Sequence, residues 1–490
     1  MAGGLWVAFM LTGCASMART GPSRDRAAFG AYLRGLMLER SSNLPGALDA
    51  YRLALGHDQR SAQLHVRLGA TYVKLGRTDR ALQAFTKALE VDPDHPDALR
   101  WVAMLHASQG QLDQAVEAYE RLLRIEPSDQ FVISTLADLY VMQGEVPKAI
   151  ELYHRLIEEF GSSSQLHFNL GVLHGRIGQF DEAVQELSRA LEASPHSLEI
   201  RVALGLTYEL SEQYDKAAAH YEEAIRLDPF NARLYQRTAR ALFSAKRYAE
   251  AAVSYQAALD LTPHDVEAIM GLVRVWIAQR RFDQAARFIA QKLEEMDGSP
   301  ELYVALGIVY REARQSEEAL RAFERAISVR EDYAQAHFYL AAQLDQLGRK
   351  EEARVNLRRT LDLDPNHLDA MNYLGYLDAE AGVNLPEAKA LIGRAVELDP
   401  DNGAYVDSLG WVCYKMGRLD EAIVYLERAA RLIGSDPVVF DHLGDAYFKQ
   451  GDVERARHSW ERALELDPSL SEVVGKLEPL ILHQATVHAP

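Results

Sequence analysis

Residues 68–93 read LGATYVKLGRTDRALQAFTKALEVDP, and their spacing recurs along the chain. Gly69 stands twelve residues before Ala81; Phe85 and Ala88 follow that alanine at four and seven, and Pro93 closes the stretch. Ala81 is one rung of a ladder made of Ala47, Ala81, Ala115, Ala149, Ala183, Ala217, Ala251, Ala285, Ala319, Ala353, Ala388, Ala422 and Ala456. Every step is 34 residues except the 35 between Ala353 and Ala388. A fixed period of this size marks a solenoid, in which each unit buries its apolar face only against its neighbours. Within a unit the apolar spacing predicts two amphipathic helices, A and B, of roughly fourteen residues each, joined by a short turn. The fold class is all-α.

Small residues twelve or thirteen places before each alanine let helix A approach helix B. Gly holds that place at 35, 69, 171, 205, 307, 375, 410 and 444, and Ala at 103, 137, 239 and 341. Pro at 93, 127, 195, 229, 263, 365, 400 and 468 ends helix B, because it lacks the N–H that a continuing helix needs. Asp or Ser beside it, as in Asp92-Pro93-Asp94 and Asp399-Pro400-Asp401, is expected to cap the next helix. In Gly417-Arg418-Leu419-Asp420-Glu421-Ala422 the glycine suits the left-handed end of helix A. One unit is poor. Around Ala285, Val273 and Lys292 replace small residues, and Asp297 and Glu331 stand where Pro would close this unit and the next. Ordinary drift would explain this, and so would a soft joint over 264–331.

With Gly at the eighth place, Ala at the twentieth and Pro at the thirty-second, the chain resembles the tetratricopeptide repeat (TPR) over residues 28–468, thirteen times. The resemblance implies a right-handed superhelical solenoid whose helices A line a concave groove. Residues 469–490 are then expected to form a capping helix and tail, kinked or ended at Pro479.

The formal charge of −18, from 71 acidic and 53 basic residues, argues against nucleic acid as partner. Arg233, Arg237, Arg240 and Arg274 form a local exception, a candidate patch for an anionic peptide or glycan if they are not simply solvated. Cys413 falls at a core place that holds Tyr in other repeats. Cys14 differs. The apolar run Leu5–Leu11 is too short to span a bilayer. It leads into Leu11-Thr12-Gly13-Cys14, which looks like a bacterial lipobox. That reading makes 1–13 a signal segment, Cys14 the lipidated residue and 14–27 a tether. The array would then face the periplasm, and Ala15 resembles the sorting rule for the outer membrane. No Lys or Arg precedes the run, a departure from secretory signals that a start further upstream would remove.

No catalytic constellation stands out. His167 and His174 fit helix A places as core or groove lining, Gly475-Lys476 lacks the rest of a phosphate loop, and no nucleophile has a placed base. The expectation is a protein without enzymatic activity, cofactor, metal or small-molecule substrate. The last repeats carry a more particular signature: Asn372-Tyr373-Leu374-Gly375-Tyr376, Asp407-Ser408-Leu409-Gly410-Trp411, Asp441-His442-Leu443-Gly444-Asp445 and Ser459-Trp460-Glu461. This is similar to the C-terminal region of proteobacterial TPR lipoproteins, among them the outer-membrane adaptor of a periplasmic carboxyl-terminal processing protease. The resemblance implies a lipid-anchored scaffold for partner proteins. Two other classes stay open: a structural or assembly component of a polysaccharide-export or secretion complex, and a cytoplasmic co-chaperone. The latter's carboxylate clamp is not matched by Val66, Ala70, Phe168 and Val172. By the same resemblance, groove-facing places in the last three repeats hold Asp369, Asn372 and Tyr376, then Asp407, Trp411 and Tyr414, then Asp441, Asp445 and Phe448. Aromatics among carboxylates would suit an extended segment with apolar side chains and Lys or Arg. Alternatively, Trp411 and Tyr376 pack between helices as core.

Overall fold

The computed structural model describes residues 22–296 and 298–478. These form twenty-six helices in chain order, α1 (Pro22–Arg40) to α26 (Val453–Leu466), and a helical stretch over 471–478. No strand occurs among the described residues. Odd-numbered helices are helix A and even-numbered ones helix B of thirteen pairs.

The spacing of small residues is what lets each pair form. All thirteen ladder alanines are fully buried. A Cβ on Gly69 would come within 2.6 Å of the Phe85 ring, and one on Gly205 within 2.5 Å of Tyr221, so a side chain at either place would require that ring to shift. The turn between the helices uses one residue with positive φ in every repeat. It is Gly at 76, 110, 144, 178, 348, 382, 417 and 451, but Ser42, Glu212, Lys246, Arg280 and Arg314 adopt the same conformation. The left-handed turn is therefore a demand of the repeat geometry that non-glycine residues meet at a cost. The single 35-residue step adds one residue here: after Gly382, Asn384 is also left-handed (φ 49°) before α22 (Leu385–Leu398) begins.

Capping differs from the sequence expectation. Asp92 and Asp399 sit at the C-terminal ends of helices B. The next helix A is capped by the residue just before it: Ser61, Asp129, Ser163, Ser197, Asp265, Asn402 and Asp436 each accept a hydrogen bond from a first-turn amide. The loop after Pro is long enough to move the cap several residues on.

The chain divides into two compact units, Met1–Pro229 and Phe230–Pro490. The first holds α1–α12, with a core cluster running from Leu48 to Leu173. The second holds α13–α26 and the closing stretch 471–478, whose Val473 and Leu477 are buried in one cluster with Trp460. The division falls ahead of the poor repeat around Ala285. There Val273 is buried, and Gly271 makes the close approach instead, against Tyr255 of the preceding helix B. Lys292 is buried with its ammonium 2.6 Å from Glu295. Asp297 lies outside the described residues.

Helix α1 begins at Pro22, so the stretch expected as tether up to residue 27 is helical in its last part. Cys14 and the run before it lie outside the described residues, as does Pro479. No described helix is long and apolar enough to cross a membrane.

Candidate partner-binding site

The expected groove residues of the last repeats sit on α21 (Leu368–Ala381), α23 (Gly403–Lys415) and α25 (Pro437–Gln450). Successive helices A lie side by side, so a residue on one meets its counterpart about 35 positions later. Asp407, buried, accepts from His442 Nδ1 at 3.0 Å. Trp411 is 8% exposed. Its indole stacks on His442 (4.0 Å between centroids, 15°) and on Tyr414 (4.7 Å, 10°). Its Nε1–H donates to Glu380 at 2.6 Å, and Lys415 bonds the same carboxylate at 3.1 Å. Asp441 and Asp445 hold the ammonium of Lys476, in the closing stretch, at 2.6 and 2.7 Å. Asp445 also accepts from Trp460 Nε1 at 3.1 Å, and Asp369 accepts from the Tyr405 hydroxyl at 2.6 Å.

The expected carboxylates are thus already engaged, and the ladder is satisfied from within. Burial alone would raise Glu380, but the Trp411 and Lys415 hydrogen bonds outweigh it and hold the carboxylate below its ordinary value. Burial raises Asp445 in spite of Lys476. For Lys476 burial acts to lower the pKa, and the two carboxylates overcome it to leave the ammonium above its usual value. Burial, with Glu380, Asp407 and Asp345 nearby, pushes the Tyr376 phenol up to about 12. What remains for a partner is aromatic: Tyr376 and Tyr414 half-buried and Phe448 49% exposed, with Lys449 over the Tyr414 ring at 4.3 Å. Asn372 is half-buried beside them in sequence.

Of the arginines, Arg233, Arg237 and Arg240 line one cleft of about 270 Å³ in the second unit, together with Gln236, Tyr255 and the carboxylate of Glu267. Arg274 is exposed and is not part of that lining. His167 and His174 are buried, the former 2.5 Å from Glu186 and the latter 2.7 Å from Gln179. No cluster of side chains able to hold a metal occurs among the described residues. Cys413 is fully buried in the last core cluster.

A recess that the sequence reading did not single out lies in the first unit, between α7 (Gln130–Gln143) and α9 (Ser164–Arg176). It encloses about 290 Å³ and is lined by Val141, Met142, Tyr153, Phe168, Val172 and Arg176, among others. Met142 is 67% exposed. Tyr153 is fixed at its base, donating to Asp138 at 2.6 Å and accepting from Asn169 at 3.3 Å. The signal was present: Phe168 and Val172 are apolar residues at groove places.

Models of the tetratricopeptide repeat match residues 66–130, 173–232, 202–266, 304–367 and 377–437, with further matches at 106–167, 242–307 and 437–470. A TPR repeat-containing protein of Pseudomonas aeruginosa, PA4667, is 37% identical over 90 residues, which are 18% of this chain and 15% of that protein. Among solved structures, the Cut9–Hcn1 hetero-tetramer of the APC/C aligns over 96% of this chain and 99% of the other, at 14% identity and a TM-score of 0.43. Yeast Tom70 aligns over 92% of this chain and 99% of the other, at 16% identity and a TM-score of 0.40.

Proposed function

The chain belongs to the tetratricopeptide repeat family, and on that premise we propose that it is a non-enzymatic adaptor, held to the bacterial outer membrane by a lipid on Cys14 and binding partner proteins on its helices A. The observation that carries the reading is the recess between α7 and α9. Met142 and Val172 present apolar surface to solvent, with Phe168 half-buried beside them. Fixed pockets of this size suit side chains of an extended segment, and apolar anchors contribute most of the affinity in such contacts.

The face formed by Tyr376, Tyr414 and Phe448 is the second proposed contact. Trp411 is its floor rather than its surface. Since Asp407, Asp441 and Asp445 are engaged internally, the partner segment is expected to be apolar or aromatic there, with no requirement for Lys or Arg. Delivery of substrates to a periplasmic protease is a form of this role that the C-terminal signature supports.

Two experiments test it. Radiolabelled palmitate should enter the chain in a Gram-negative host and be lost in Cys14→Ala. Partner capture from envelope extracts by a tagged chain should fall at least tenfold in Met142→Asp with Val172→Asp, with helicity unchanged. Retained capture would remove the recess from the account, and absent labelling would remove the anchor.

A further inference from the structure

Helix α1 is apolar on two sides. Its inner side packs on α2 (Leu44–His57) through Ala28, Ala31 and Gly35, the last against the Tyr51 ring. Its outer side carries Phe29 (44% exposed), Leu33 (43%) and Met37 (72%) at intervals of four. In later repeats the place of Met37 is held by residues such as Leu105, Leu139, Leu173, Val275, Val309 and Val412, every one of them buried. A solenoid end is ordinarily closed by a polar outer face. The C-terminal end obeys, with Trp460 beneath the stretch 471–478, whereas α1 leaves its end apolar.

The same outer side carries exposed Arg26, Arg34 and Arg40, which make no ion pair among the described residues. In a chain of net charge −18, an apolar stripe flanked by three arginines and a single acid, Asp25, is distinctive. A second copy joined through this face would set those arginines against their own kind. The chain's own residues 1–24 contain no Asp or Glu to meet them. Lipid phosphates do. Cys14 lies eight residues ahead of Pro22, a span of at most about 28 Å when extended.

We propose that the outer face of α1 is a second membrane contact, with Phe29, Leu33 and Met37 entering the boundary between headgroups and acyl chains and Arg26, Arg34 and Arg40 meeting anionic phosphates. This rests on the anchored reading for the proximity of α1 to a bilayer. A basic, apolar helical face lying in the interface is the physical form of such contacts, and it would set the first repeat flat against the membrane.

The test uses the full chain carrying Cys14→Ser, so that vesicle binding reports the helix and not the lipid. Flotation with phosphatidylcholine vesicles is compared with flotation on vesicles that also contain phosphatidylglycerol. Binding is expected only to the anionic vesicles and should weaken with salt. It should fall about fivefold for each arginine in the series Arg26→Gln, Arg34→Gln, Arg40→Gln. Phe29→Ser with Leu33→Ser and Met37→Ser should abolish it with the circular dichroism unchanged, since all three side chains are exposed. Equal binding by every variant would assign it to Leu5–Leu11 and overturn the proposal. So would no binding at all, or a dimer in sedimentation that the triple serine variant dissociates. Palmitate labelling of the unmodified chain is read separately, so failure of the anchor and failure of this face are distinguishable.

Discussion

Replacing Trp411 by Ala separates a groove residue from a core one. The indole is 8% exposed and stacks on two rings, Tyr414 of its own helix and His442 of α25. Deleting a buried aromatic costs about 3–5 kcal/mol, its ring contacts included. Glu380 would also lose the Nε1–H donor and keep only Lys415. The expected loss is therefore about 4 kcal/mol, confined to the last repeats, because a solenoid couples nearest neighbours. A single melting temperature would average this away. Hydrogen exchange read by mass spectrometry resolves it: amides of α23 and α25 should exchange on the order of a hundredfold to a thousandfold faster, with α1–α12 unchanged. Trp411→Phe should recover most of the packing and lose the Glu380 bond. Unchanged exchange in α23 and α25 for the alanine variant, with partner capture lost, would refute the packing argument and restore Trp411 to the surface.

Other outcomes follow from the same geometry. Arg280→Gly and Arg314→Gly relieve a left-handed non-glycine turn, so each should slow exchange in its own repeat and stabilise it by up to about 1 kcal/mol, measured by denaturant-dependent exchange. The raised pKa of Lys476 means that its hold on Asp441 and Asp445 is fully present below the ordinary lysine value of about 10.4. It is lost as pH rises through the higher folded-state value, so the stretch 471–478 should loosen only in strong alkali, and at neutral pH in Lys476→Met. Glu380 runs the other way: its pKa is depressed, so its contribution is present above about pH 4.3 and disappears as pH falls through the folded-state value. Trp411 fluorescence should change on acidification in the parent chain and not in Glu380→Gln.

The repeat was legible because its grammar is steric. Alanine, glycine and proline each answer a constraint that recurs every 34 residues, so Ala81 or Gly205 could be assigned its place from spacing alone. Less legible was anything decided by how far a side chain reaches. The place of Trp411 is held elsewhere by Ala70, Met104 and Asp138, and only an indole is long enough to lie across to His442 on the next helix. The pairing of Asp441 and Asp445 needed Lys476, which spacing showed only as part of a closing helix. The start of α1 at Pro22 was missed because its first turn lies outside the repeat, where the grammar has no voice. The left-handed Arg280 and Arg314 were missed for the opposite reason: the geometry is obeyed without the residue that usually reports it.

That helices A bind a protein partner is tested most directly by photocrosslinking in intact cells, with a photoreactive residue placed singly at Met142, at Phe448 and at Val253. Val253 lies on helix B, α14 (Tyr248–Leu261), and is as open to solvent as Met142, so it controls for exposure. One discrete crosslinked protein is expected from Met142 and from Phe448, and none from Val253. Equal crosslinking from all three positions, or from Val253 alone, would contradict it.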